Sequence, residues 1–89
     1  MDNTKWNEEC YNDLRMILEV PIKVFAAWPD VEVTVCTKEL YLDLKTLYKI
    51  KKLYHCEDDD IMIEGETTET LIVRINYSRV NDYYESKIW

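Results

Sequence analysis

Glycine and proline are scarce in this chain. Its 89 residues include one glycine and two prolines. Flexible linkers, low-complexity tracts and disordered segments are rich in both, so the composition argues against them. Histidine occurs only at His55, and serine only at Ser78 and Ser86. Neither serine lies near the histidine in sequence, and no nucleophile motif frames them. A Cys56–His55 pair is conceivable, yet neighbours on a helix project about 100° apart. A lone Gly65 does not make a phosphate-cradling loop. These shortages predict a protein that is not an enzyme.

Metal ligands are equally thin. The densest stretch is His55, Cys56, Glu57, Asp58, Asp59, Asp60. It lacks the alternating acids, central glycine and terminal glutamate of a calcium loop. Zinc would need further Cys or His at short spacing, and Cys10 and Cys36 are remote in sequence. The expectation is a solvated helix end followed by an acidic turn, with no metal and no cofactor. Three cysteines without short spacings do not form a disulfide framework. No apolar run approaches the ~20 residues that span a bilayer. Met1 to Glu9 is polar, unlike a secretory leader. Reduced thiols in a cytoplasm are expected, the host cell's if the chain is phage-encoded.

Basic residues are outnumbered. Lys and Arg total 11 against 18 Asp and Glu, for a net charge of −7. Free nucleic acid and anionic membranes would be repelled by that field, whereas a basic protein surface complements it. Glu57, Asp58, Asp59, Asp60, Glu64, Glu66 and Glu69 follow one another with no basic residue between them. Lys45, Lys49, Lys51 and Lys52 lie just upstream with no acid among them.

The remaining residues describe a small globular domain. Hydrophobic residues make up 47% and aromatics 12%. A chain of this length buries about 60–65% of its unfolded surface, so the core is modest. Trp6, Cys10, Leu14, Ile17 and Leu18 share one helical face from Thr4 to about Glu19. Asn3 or Thr4 can cap that helix, and Pro21 ends it at Val20. Ile22 to Trp28 reads equally as a short second helix or a buried extended piece. Trp6 and Trp28 are expected in the core. Pro29-Asp30 reads as a turn.

Val31 to Cys36 alternates as a half-buried strand, and Leu40-Tyr41-Leu42 can form another. Asp43 suits a helix N-cap, with Leu42 and Leu47 placed as a hydrophobic staple. The helix from Leu44 to Cys56 is predicted to turn Leu44, Leu47, Tyr48 and Tyr54 inward, with Ile50 at the edge. Lys51 projects near that stripe and must snorkel. Ile61-Met62-Ile63 and Leu71 to Tyr77 read as a hairpin around a loop containing Gly65. Val80, Tyr84 and Ile88 suggest a short closing helix. The whole is a single α+β domain over residues 1–89. It is a two-layer sandwich with an antiparallel sheet of about three to four strands and helices on one face.

The acidic run has two readings. Charge runs commonly serve solubility, and acids beside a strand edge discourage aggregation. Alternatively, a hairpin would fix them as a docking surface, with tyrosines nearby to bury area. The expected partner-binding residues are Glu57, Asp58, Asp59, Asp60, Glu64, Glu66, Glu69, Tyr84 and Trp89. No stretch matches a family motif residue by residue. In size, charge and lack of a catalytic motif, the chain resembles small acidic inhibitors that phages and mobile elements direct against host defence. These include anti-CRISPR and anti-restriction proteins. The likeness is compositional and transfers no residue. It implies a non-enzymatic protein that inhibits or regulates a basic, nucleic-acid-binding protein, with carboxylates imitating phosphates. The alternative is a structural or adaptor domain that associates through exposed aromatics.

Overall fold

The first helix, α1 (Asn7–Leu18), forms where apolar residues recur at three- and four-residue spacing. Trp6, Cys10, Leu14 and Leu18 are all buried. The structure, a computed structural model, describes residues 5–35, 44–65 and 70–88. Asn3 and Thr4, the expected caps, lie outside these residues, and the helix begins at Asn7 rather than Thr4. Trp6 holds the N-cap position without a side-chain capping bond. Its indole packs inward instead and donates to the Asn81 side chain at 2.9 Å. Burial, not a polar cap, pins this helix end. The helix stops where Glu19 enters the left-handed region at φ 60°. There the Glu19 N–H donates to the Arg15 carbonyl at 2.8 Å.

Ile22 to Ala26 resolves the open choice as a strand, β1 (Ile22–Ala26). Ile22 and Ala26 are buried, whereas Lys23 and Phe25 face outward. Trp28 departs from its expected core position and is 73% exposed, because it sits in the turn beyond the strand. Strand β2 (Asp30–Val35) follows, with Val31, Val33 and Val35 buried in strict alternation.

Helix α2 (Leu44–Tyr54) comes next. Cys36, the Leu40–Leu42 strand, the Asp43 cap and the Leu42 half of the staple lie outside the described residues. The buried stripe of α2 differs from the predicted one. Ile50 and Tyr54 are fully buried, Leu47 is half-buried, and Tyr48 is 60% exposed. Tyr48 projects about 160° around the helix from Ile50, so the two cannot share a face. The side chains of Leu44 and Ile88, also expected on apolar faces, lie outside the described residues. Lys51 is half-buried beside the stripe, as expected.

A single 3₁₀ turn, Asp58–Asp60, leads into β3 (Ile61–Gly65). Gly65 belongs to the strand rather than to the loop. Strand β4 (Leu71–Asn76) and helix α3 (Tyr77–Ile88) complete the chain. Tyr77 opens α3 instead of closing the strand, because the Asn76 side chain accepts the Ser78 N–H at 2.8 Å and caps the helix.

The strands pair antiparallel throughout, in the order β1-β2-β4-β3. The helices cover one face, where Val33 of β2 opposes Val73 of β4. Phe25, Glu32, Arg74 and Met62 line up across the other face. Among the described residues, no helix is long and apolar enough to cross a membrane.

An aromatic seam joins the three helices. Trp6 stacks on Tyr84 with ring centroids 5.4 Å apart. Tyr84 Oη donates to Asp13 at 2.8 Å and lies 2.8 Å from Tyr54 Oη. Cys10 Sγ lies 3.6 Å from Tyr54 Oη. Each polar atom of the seam therefore has a partner, which low-dielectric burial demands. Burial also raises the pKa of both tyrosines and pushes the Cys10 thiol up to about 11.

Candidate functional site

The acidic segment begins where α2 ends. His55 adopts the left-handed conformation at φ 57°, and the Cys56 N–H reaches back to the Lys51 carbonyl at 2.9 Å. This six-to-one bond is a Schellman close, usually built on glycine. His55 thus has a conformational role at the helix end, and its side chain is exposed. Cys56 beside it is half-buried. Desolvation first, then the charge of Asp60, pushes its thiol up to about 11. The thiol stays protonated at neutral pH, so no thiolate stands ready next to His55.

The acids differ sharply in their surroundings. Asp60 turns inward, with its side chain 10% exposed. Its carboxylate accepts from the Glu57 N–H at 2.7 Å, Arg79 Nε at 2.8 Å and Asn76 Nδ2 at 3.1 Å. The backbone bond from Glu57, aided by Arg79, holds its pKa below the ordinary 3.8. Asp60 is therefore a fastening between the turn, β4 and α3, which corrects its expected place on a docking surface. Asp58 remains exposed and pairs with Lys51, which lowers its pKa. Glu64 pairs with Arg74 at 3.2 Å, and the same guanidinium also holds Glu32. Glu57 and Asp59 are exposed. Glu66, Glu69 and Trp89 lie outside the described residues.

Tyr84, the other expected partner-binding residue, is fully buried. Its ring is stacked and its hydroxyl engaged, so it offers nothing to a partner. The two charge patches are also less separate than the sequence suggests, because the Lys51–Asp58 pair joins them. Lys45, Lys49 and Lys52 stay exposed along α2.

Between α2 and β3 lies an open groove of about 460 Å³, lined by Leu47, Tyr48, Lys51, Asp58, Ile61 and Ile63. Two of its lining residues are exposed apolar side chains: Tyr48 is 60% and Ile63 39% exposed. Apolar surface flanked by charge is the usual make-up of a contact patch. Tyr48 and Ile63 thus belong with the acids in the candidate surface, although the sequence alone places them in core and hairpin. Phe25, on the helix-free face of β1, and Trp28, in the turn after β1 with its ring edge-on to Tyr77 at 6.1 Å, are also exposed.

Among the described residues, no three His, Cys, Asp or Glu side chains converge as a metal site. No family model matches this chain, and neither a curated protein nor a solved structure matches it.

Proposed function

We propose that this chain is a non-enzymatic binding protein that inhibits or regulates a basic, nucleic-acid-binding protein. The carrying observation is the exposed trio Glu57, Asp58 and Asp59 beside the apolar α2–β3 groove. A net charge of −7 speeds encounter with a basic target, and the groove supplies area to bury. Asp60 fastens the trio to β4 and α3, so the carboxylates need not be ordered on binding. In this reading the acids stand where phosphates would sit in the target's groove, as in a phage inhibitor of host defence. Cytoplasmic action fits the free Cys10 and Cys56 thiols.

The test is capture from lysate, followed by assay of the captured protein. A basic nucleic-acid-binding protein should bind, lose nucleic-acid activity and dissociate in moderate salt. Asp58→Lys with Asp59→Lys should slow its association and flatten the salt dependence. Retained association and retained inhibition by that variant would sink the proposal.

A second reading rests on Trp28 and Phe25, which are 73% and 52% exposed. An adaptor would use these aromatics, and the acids would serve solubility alone. Loss of binding on Trp28→Ala, with no effect of the acid reversal, selects it.

A further inference from the structure

We propose that two copies of this chain join edge to edge through β3, about a two-fold axis. The product is one continuous sheet with four strands from each copy. β3 is an edge strand of the described sheet, hydrogen-bonded to β4 on one side. The backbone groups on the other side of such a strand form a template for pairing. Proteins usually guard an exposed edge with lysine, proline or a bulge. Ile61-Met62-Ile63-Glu64-Gly65 has neither lysine nor proline, and its one charge, Glu64, is paired with Arg74.

The choice of occupant follows from the charges on either side of the groove. α2 and β3 run in opposite directions along it. Lys51 near the end of α2 meets Asp58 just before β3, and Leu47 and Tyr48 share the groove with Ile63. A two-fold axis at Ile63 reverses the second copy's β3. That copy's acidic turn then approaches the N-terminal half of the first copy's α2. Lys45 and Lys49 are exposed there. The reverse contact is identical by symmetry, so one surface carrying both signs complements itself. The exposed Tyr48 and Ile63 would form the apolar part of the joint on the helix side, and Met62 its apolar part on the other face. A second copy answers both signs on this face, whereas a basic partner would engage the acids alone and compete with the second copy for the same groove.

This inference concerns the purified protein alone and goes beyond the binding reading. It can fail while partner binding stands, and the reverse. The experiment is solution mass by light scattering or sedimentation over a broad concentration range at low and high salt. The chain mass is 10.8 kDa. The expected result is a concentration-dependent rise towards twice that value, reduced by salt. Ile63→Lys should give a folded monomer by circular dichroism. Should it fail to fold, Met62→Lys on the opposite face of β3 makes the same test. Two charge variants complete the experiment: Asp58→Lys with Asp59→Lys, and Lys45→Glu with Lys49→Glu. Each alone should weaken self-association by about tenfold or more, and an equimolar mixture should restore the double mass. A monomer at every concentration, a dimer indifferent to the β3 lysine, or charge variants that stay monomeric when mixed would overturn the proposal.

Discussion

Strands β1 and β3 are the two edges of the described sheet, each five residues long and each opening with isoleucine. Their fates differ. Ile22 of β1 is 6% exposed, whereas Ile63 of β3 is 39% exposed. Both residues point to the helix side, since each shares a register row with buried residues of the central strands. α1 packs over β1, while α2 stands back from β3 and leaves the groove. A strand's own alternation chooses which face points inward. Whether that face becomes core or contact surface depends on the helix above it.

The largest expected effect breaks or upholds this comparison directly. Ile22→Ala should destabilise by about 2–5 kcal/mol, the cost of a cavity in closed packing. Ile63→Ala should cost less than about 1 kcal/mol, because solvent already reaches the site. Urea denaturation of both variants measures the pair. Equal losses would show that β3 is as well covered as β1.

The same contrast recurs between adjacent aspartates. Asp60→Ala should cost about 1–3 kcal/mol by leaving Asn76 and Arg79 without their acceptor. Asp59→Ala, at an exposed position, should stay within about 0.5 kcal/mol. The pH dependence carries a definite sign. The pKa of Asp60 is depressed in the fold, so its contribution is complete above the ordinary 3.8. It is lost as pH falls through the lower folded value. The gap in melting temperature between the native chain and Asp60→Ala should therefore shrink on acidification. A gap that stays constant down to that range would remove Asp60 from its fastening role.

A smaller effect sharpens the picture where α2 hands over to the acidic turn. His55 holds a left-handed conformation that costs any residue with a Cβ. His55→Gly should stabilise by about 0.5–1 kcal/mol, read by the same denaturation. A loss on this change would mean that the imidazole makes a contact worth more than the strain. The smallest expected effect is zero. Cys10 and Cys56 are free, so thermal melts with and without reductant should coincide. A drop on reduction would reveal a disulfide on which the fold depends.

The elements with one clear period are legible from sequence. α1 and α3 bury residues spaced by three and four, and β2 alternates, so each pattern admits a single solution. α2 is harder because it has apolar residues around much of its circumference. Tyr48 and Ile50 compete for the core, and only packing decides between them. Aromatic exposure is likewise a tertiary outcome: Trp28 lies open while Tyr84 is closed. Among the acids, the run itself is plain in the sequence, but the inward turn of Asp60 is not. Its partners Asn76 and Arg79 lie 16 and 19 residues away, beyond any local pattern. The apolar groove is invisible for the same reason, since it is defined by the space between two elements.

Arg74 reaches from β4 to Glu32 on one side and Glu64 on the other. On the helix-free face, that guanidinium is a tie between β4 and the weakly covered edge. The consequence concerns the order in which the molecule opens. A strand held by one hydrogen-bond ladder and a screenable charge should release before strands gripped on both sides. Amide exchange should run fastest along β3 and slowest along β2 and β4. The fold thus has a soft rim and a hard centre, and salt can loosen the rim while the centre stays shut.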